Sequence, residues 1–373
     1  MNVLGLMSGT SLDGLDLALV RFSQSPKLQF EFLATKTIPY TEEWKSRLFD
    51  AFFADRGTLQ ELEKLYGIWL GEQVLVFREE FNLSIDLIGS HGHTIFHRPQ
   101  EGYTLQIGSG KEIYHQTGIP VVCNFRQQDV ALGGQGAPLV PIGDEMLFSE
   151  FQFCLNLGGF SNISWNLEGL RKACDISPCN MLLNNLSQRI GLNFDEGGKL
   201  AREGKVLSTV LDRWNALNYY HLTFPKSLGR EWFEVNFKND LNSSAYRIED
   251  LLRTSVEHIA FQIHHFIEAL ISISPEKRSN QASVLCTGGG TYNDFLLERL
   301  NSLNKTKWKY IIPNSTLIDC KEALVFALLA YLKWNDRINV LSSVTGALRD
   351  HSSGDVYKDF NHNTGSEEPR EGE

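Results

Sequence analysis

Apolar residues fall into short runs broken by glycine-rich turns, with longer stretches of helical spacing between them. Asn2–Leu6 is apolar, Met7–Gly14 is small and polar, and Leu15–Phe22 is apolar again, which predicts strand, turn and strand. Thr58–Phe81 carries Leu59, Leu62, Leu65, Trp69 and Val76 at helical spacing. Leu83–Gly89 reads as a short buried strand feeding a polar loop, GSHGHTIFHRP. Gly102–Gly108 and Ile119–Asn124 read as strands around a short helix at Lys111–Thr117.

The segment Phe125–Asp144, FRQQDVALGGQGAPLVPIGD, is rich in glycine and predicts a hinge or a substrate loop rather than regular structure. The run after it, FQFCLNLGGFSNISWNLEG, repeats the opening design of strand, glycine turn and strand. Asn180–Ile190 reads as a helix. So does Ser255–Leu270, with Val256, Ile259, Ile263, Phe266 and Leu270 on one stripe. Val284–Thr287 is strand-like, Gly288–Gly290 is a turn, and Asp294–Leu300 is helical. Glu322–Trp334 is a nearly all-apolar helix, buried on most sides. Two glycine hairpins in separate halves, with strands and helices alternating, predict a two-lobed α/β protein with a ligand cleft between lobes.

Composition narrows the classes. Of 373 residues, 42% are hydrophobic and 21% charged, which is a globular balance. The net charge of −10 argues against nonspecific binding to nucleic acid or to an anionic membrane. No run of eighteen apolar residues is present to span a bilayer. The N-terminal residues lack the basic region of a signal peptide. The six cysteines are too sparse for a disulfide scaffold, and Cys174 and Cys179 have no second pair to complete a zinc site. Free thiols in a reducing cytoplasm are the expectation.

Three glycine turns follow strands: Met7–Asp16, Leu157–Asn162 and Thr287–Asp294. Glycine lets a backbone approach a phosphate, and neighbouring hydroxyls add donors. None is a Walker A loop and none has the G-x-G-x-x-G spacing. The pattern fits a nucleotide gripped from both lobes. Among the carboxylates, Asp175 stands before a helix, where it either caps that helix or faces the cleft as a general base. Asp13 and Asp16 either brace the first hairpin or hold a magnesium-bound water. Glu322 opens an apolar helix, which its charge would stabilise. His91, His93 and His97 lack the further ligands of a zinc site, and binding of substrate suits them better. Arg126 and Asp129 either hydrogen-bond a sugar or carboxylate or pair with each other.

Several segments together resemble the anhydro-N-acetylmuramic acid kinases. GLMSGTSLDGLD (Gly5–Asp16), GSHGHTIFHRP (Gly89–Pro99) and FRQQDVALGGQGAPLVP (Phe125–Pro141) carry the resemblance, with LNLGGFSNIS, CTGGGTYND, CKEALVFALLA and SVTGA (Ser343–Ala347). The resemblance implies an actin-like sugar-kinase fold of two ribonuclease-H-like lobes, with ATP and Mg2+ between them. It implies ATP-dependent hydrolytic opening of the 1,6-anhydro ring with phosphorylation of O6, a cytoplasmic location and a homodimer. Asp175 matches the family's base. Gly9, Thr10, Ser11, Leu12, Asp13, Gly14, Leu15 and Asp16 match the first ATP loop. Gly158 and Gly159, then Gly288, Gly289, Gly290 and Asn293, match the other two. Thr94, Arg126, Asp129, Asn180 and Glu322 are the implied sugar contacts.

The implied lobes are residues 1–130 and 131–316, with 317–347 packing back on the first and 348–373 a polar, disordered tail. The base loop departs from the family's D-T-G-P-G-N, reading Asp175-Ile176-Ser177-Pro178-Cys179-Asn180, and Asn124 and Asn184 stand where aspartates are usual. Met7 stands where related sugar kinases carry an aspartate, so no magnesium ligand is read from the sequence. The loop's departure makes a catalytically altered relative, binding ATP and sugar as a sensor, the alternative function.

Overall fold

β1 (Asn2–Ser8), β2 (Gly14–Gln24) and β3 (Leu28–Pro39) form an antiparallel meander. β4 (Leu87–Arg98) lies parallel on the other side of β1, β5 (Tyr103–Ile107) folds back on the far end of β4, and β6 (Val121–Cys123) lies parallel beyond it. The second sheet repeats the plan. β7 (Phe153–Leu157), β8 (Phe160–Leu167) and β9 (Leu170–Pro178) form the meander, and β10 (Ala282–Thr287) and β11 (Trp308–Ile311) add in parallel beside β7. Each lobe is therefore a mixed sheet with a three-strand meander on one side of its first strand and parallel strands on the other. This is the two-lobed α/β architecture expected. The computed structural model describes residues 1–9, 11–24, 26–273, 282–304 and 308–358.

The Ser315–Trp334 helix returns from the second lobe to the first and packs on β1, β2 and β4, while also touching β10. It gets close because two facing strands carry glycine. A methyl group at Gly5 would sit 1.8 Å from the Ala323 carbonyl oxygen, and one at Gly89 would sit 2.3 Å from that of Phe326. The helix core, Ala323 to Ala330, is sealed between Leu87 and Val122 of one sheet and Cys154 and Leu285 of the other. Apolar burial on all sides explains why its sequence shows no polar stripe.

Several expectations need correction. The Arg56–Phe81 helix forms, but its buried face is Leu62, Tyr66, Leu70, Val74 and Phe77, while Leu65 and Val76 are exposed. Gly67 and Gly71 set that face, because the chain at Ser109 and Gln116 lies where their side chains would be. The polar segment after Gly89 is not a loop. It continues β4 to Arg98, with Ser90, His91 and His93 buried. The Phe125–Asp144 segment contains short helices at Gln127–Ala131 and Pro141–Leu147. The last apolar helix begins at Ser315 with Asn314 as its cap, so Glu322 lies in its third turn and not at its start. The polar C-terminal segment is in part ordered. β12 (Asp355–Tyr357) pairs antiparallel with β6, and the rest of the expected tail, 359–373, lies outside the described residues.

The second lobe is filled by the Ile248–Ile273 helix, which buries Val256, Ile259, Ile263, Ile267 and Leu270. Phe266 of the expected stripe sits at the margin of this face, edge-on to Trp165.

The close helix–sheet approach has a direct test. Gly5→Ala should lower stability by about 1–3 kcal/mol or more, since the added methyl meets a backbone carbonyl that cannot rotate away. Gly9→Ala, whose methyl would meet only the Ser11 hydroxyl at 3.4 Å, should leave stability within about 0.5 kcal/mol. Urea unfolding of both variants compares them, and equal midpoints would refute the packing argument.

Candidate active site between the lobes

The first glycine turn joins β1 to β2. Leu12 takes a positive φ of 61° and its N–H donates to the Gly9 carbonyl at 3.3 Å. A methyl at Gly9 would stand in ordinary contact with the Ser11 hydroxyl at 3.4 Å, and Ser11 and Asp13 are exposed. Thr10 lies outside the described residues. Gly14 and Leu15 belong to β2 and serve the fold. A methyl at Gly14 would meet the Ile38 carbonyl at 2.5 Å, and Leu15 is buried in the core. Asp16 is half-buried and accepts from the Thr37 hydroxyl at 2.6 Å. Burial raises its carboxyl, and the charges of Asp319 and Asp13 push the same way.

The second and third turns pack on each other. The Gly158 carbonyl accepts from the Asn180 N–H, and that of Gly159 accepts from Cys179 and Met181. Asn180 then donates through Nδ2 to the Leu157 carbonyl at 3.0 Å. Gly288 has φ of +83° and a side chain there would strike Asn156, while one at Gly290 would strike Leu157. Gly289 has only the Asn180 amide nearby, at 3.6 Å. Asn293 is nearly buried and its Oδ1 accepts from the Leu296 N–H, so it caps the Asp294–Asn304 helix. Its neighbour Tyr292 reaches the other lobe and donates to Asp319 at 2.8 Å. The third turn thus meets the Ser315–Trp334 helix at Asp319, whose charge also acts on Asp16 of the first hairpin.

Asp175 is in β9, opposite Asn162, beside a register shift at Ile176. It does not cap the following helix, whose N-cap position is Cys179. Its Oδ2 accepts from the Leu228 N–H at 2.8 Å, its N–H donates to Lys226, and its carbonyl accepts from the Tyr219 hydroxyl. Among the described residues no protein donor reaches Oδ1. Burial pushes the Asp175 carboxyl up to about 6, with the Leu228 N–H pulling the other way. A carboxylate with one free oxygen and a proton affinity near neutrality suits a general base. Neither Ser177 nor Cys179, which stand in place of glycines, has a positive φ.

Arg126 is enclosed. Its Nε lies 3.1 Å and its Nη2 3.0 Å from His91 Nε2, and its Nη1 donates to the Gly136 carbonyl at 2.8 Å. Burial lowers it to about 10, against the pull of Glu322 and Asp129. Glu322 itself is open to solvent at the cleft. Surrounding protein raises its carboxyl, and Arg126 opposes that rise. Asp129 is not available to a ligand as expected. It is fully buried, with Oδ2 accepting from the Gly136 N–H and Oδ1 from the Thr345 hydroxyl, both at 2.7 Å. It braces the glycine-rich segment against Ser342–Thr345. Thr94 is half-buried on β4, opposite Gln106. The three histidines have separate partners: Arg126 for His91, Ser8 for His93 and Thr104 for His97. Among the described residues no three metal-ligating side chains gather.

Sequence reasoning missed Ser8, Tyr40, Tyr66 and Tyr292 around the first and third turns. Only the hydroxyl of Ser8, directly before Gly9, gave a signal that could have found one of them.

A family model described as anhydro-N-acetylmuramic acid kinase matches residues 1–359. The anhydro-N-acetylmuramic acid kinase of Synechococcus elongatus is 34% identical, over 96% of this chain and 99% of that protein. The enzyme of the same description from Actinobacillus pleuropneumoniae serotype 7 is 34% identical, over 95% and 98%. Among solved structures, the ROK hexokinase from Thermus thermophilus aligns over 90% of this chain and 100% of its own, at 14% identity and a TM-score of 0.39.

The raised carboxyl of Asp175 links stability to pH. Its protonated form is favoured in the fold, so its contribution is fully present below about pH 4 and is lost as pH rises through about 6. Asparagine mimics the protonated form and still accepts from Leu228. Asp175→Asn should therefore raise the melting temperature above pH 6 and leave it unchanged at pH 4. Melting curves across that range check this, and a variant that is less stable at pH 8 would contradict it.

Proposed function

The chain belongs to the anhydro-N-acetylmuramic acid kinase family, and from that premise we propose how its cleft does the chemistry. The protein is an ATP-dependent phosphotransferase acting on anhydro-N-acetylmuramic acid, an enzyme of peptidoglycan recycling. Asp175 is the general base. It takes a proton from water as the water oxygen bonds to the anomeric carbon. The bond from that carbon to O6 breaks, O6 accepts the γ-phosphoryl group, and ADP leaves. The products are N-acetylmuramic acid 6-phosphate and ADP. The observation that carries this reading is the Asp175 carboxyl, held near neutral proton affinity with Oδ1 free.

Backbone N–H groups of the first glycine turn hold the nucleotide phosphates, where a side chain at Gly9 would meet no closer neighbour than the Ser11 hydroxyl at 3.4 Å. Gly158, Gly159 and Gly288–Gly290 line the nucleotide from the second lobe, with Gly159 and Gly289 the positions most open to it. Thr94, Asn180 and Glu322 contact the sugar, and Arg126 sets the charge around Glu322. Mg2+ needs few protein ligands when phosphates and water supply the rest. Asp16 fits it best, because burial and, after it, the charges of Asp319 and Asp13 disfavour its ionised form, which a cation would stabilise. The metal would neutralise charge on the moving phosphoryl group.

Six free cysteines, all buried, support a reducing cytoplasm. No helix among the described residues is long and apolar enough to cross a membrane. A homodimer is the assembly expected from the family. Neither Ser177 nor Cys179 has a positive φ, and Asp175 keeps Oδ1 free, which favours the kinase over a sensor role.

Two variants test the assignment. Asp175→Asn should cut turnover by on the order of 10²–10⁴-fold with sugar and ATP affinity nearly unchanged. Turnover near the parent level would place the base elsewhere. Mass spectrometry of the product formed in heavy-oxygen water identifies both the phosphate and the entry of water at the sugar. Gly9→Val should fold normally yet lose nucleotide affinity by calorimetry, because the side chain fills space reserved for phosphate. Unchanged affinity would reject the phosphate-loop assignment.

A further inference from the structure

Four polar side chains form one line behind the first glycine turn. Ser8, the last residue of β1, sets its Oγ 2.7 Å from Nδ1 of His93 on β4. The Tyr40 hydroxyl donates to the same Ser8 oxygen at 2.7 Å and lies 2.5 Å from the Tyr66 hydroxyl. Their exposures are 2% for Ser8, 3% for His93, 4% for Tyr40 and 0% for Tyr66. Bulk water does not reach them, and the hydrogen bonds they make are with one another.

That pairing fixes the protons. A buried donor without an acceptor costs about 1–3 kcal/mol. Tyr40 has one proton and gives it to Ser8, so Tyr66 must donate to Tyr40. Ser8 accepts from Tyr40, and the acceptor left for its own proton is His93 Nδ1. The reverse arrangement, with Nδ1–H donating to Ser8, leaves the Ser8 proton no acceptor but the Tyr66 oxygen. Burial pushes His93 down to about 4, so at neutral pH the ring carries a single proton. With Nδ1 accepting, that proton is on Nε2. Among the described residues Nε2 has no protein acceptor, and it is not one of the unpaired side-chain atoms sealed from solvent.

We propose that His93 presents a neutral Nε2–H donor to a phosphoryl oxygen of the bound nucleotide, and that Tyr66, Tyr40 and Ser8 are positioning residues that lock this tautomer. The ligand follows from the place. Ser8 is bonded to Gly9, and its hydroxyl holds the His93 ring at the base of the turn, where a side chain at Gly9 would meet no closer neighbour than Ser11 at 3.4 Å. The assignment rests on the reading that the Gly9–Ser11 turn holds phosphate. A donor fixed before the ligand arrives stabilises charge developing on the phosphoryl oxygens without reorganising. The relay supplies that fixity at a site where the ring would otherwise exchange tautomers.

The amide nitrogen of glutamine overlies Nε2 of histidine, and that of asparagine overlies Nδ1. His93→Gln should therefore keep kcat/KM for ATP within about tenfold of the parent, the worth of one ordinary hydrogen bond. His93→Asn should lose on the order of 10²-fold, with the KM of the sugar unchanged. Equal losses in the two variants, or a loss confined to the sugar's KM, would overturn the proposal. Nitrogen NMR of the free enzyme gives a second readout that a merely structural histidine would not move. The parent should show the Nε2–H tautomer, and Tyr40→Phe should show a mixture of both. An Nδ1–H tautomer in the parent overturns the relay whatever the kinetics. If Gly9→Val keeps nucleotide affinity while the tautomers are as expected, the phosphate-loop reading has failed, and the ligand assigned to His93 falls with it.

Discussion

Backbone-to-backbone contact between the Ser315–Trp334 helix and the first sheet is the constraint on which the cleft depends. Gly5 and Gly89 leave no side chain between strand and helix, so the helix axis has one available distance from β1 and β4. Three consecutive stretches of its surface then have fixed destinations. Asp319 meets Tyr292 of the third turn, Lys321 pairs with Asp144 at 2.7 Å, and Glu322 opens into the cleft within the field of Arg126. A larger residue at either glycine would lift all three together. The same helix belongs to the core of one lobe and touches the sheet of the other, so cleft geometry and hydrophobic packing are set by one element.

The interior charges are distributed with the same economy. Asp144 is buried with Lys321, accepts from Ser164, and has Arg171 within 3.8 Å. Breaking one member of such a cluster leaves an uncompensated charge, which costs about 3–5 kcal/mol, whereas the intact cluster adds little net stability. Its effect is to fix relative position. It ties the Pro141–Leu147 helix, the meander of the second lobe and the Ser315–Trp334 helix into one joint. Asp129 does the same for the glycine-rich segment, spending both oxygens on protein donors. Asp175 differs in one respect. It receives a single backbone N–H, keeps Oδ1 free, and is raised toward neutrality. The number of donors supplied to each aspartate separates the brace from the base.

Much of this was legible in the chain. Glycine turns after apolar runs located both hairpins, because a meander must reverse where side chains are small. The long helices were legible from spacing, yet the buried face of Arg56–Phe81 was not. Gly67 and Gly71 define that face, and a glycine scores as neither apolar nor polar in a periodicity argument. The extension of β4 through Ser90, His91 and His93 was illegible for a related reason. The two histidines are buried because each finds a partner on another element, and the partners, Ser8 and Arg126, lie far away in sequence. Glu322 read as a helix opener since its preceding turns look polar, but Asn314 caps the helix earlier. Asp129 and Asp175 could not be told apart, as their difference lies entirely in distant N–H and O–H groups.

The altered base loop shows how such a site survives the loss of its glycines. Ser177 sits in β9 with its hydroxyl 3.0 Å from that of Ser161 on β8, and the Ser161 hydroxyl also donates to the Ser177 carbonyl and accepts from its N–H. The Ser177 side chain adds a cross-strand link where glycine would add none. Cys179 is fully buried against the core of the second lobe, filling volume that glycine would leave empty. Its N–H still donates to the Gly159 carbonyl, as those of Asn180 and Met181 do to the same hairpin. The loop's path is therefore dictated by the second glycine turn, which supplies the acceptors, and by Leu228 and Lys226, which hold Asp175 from the other side. Shape imposed from outside needs no conformational freedom within, so the carboxylate keeps its place although two neighbours have changed.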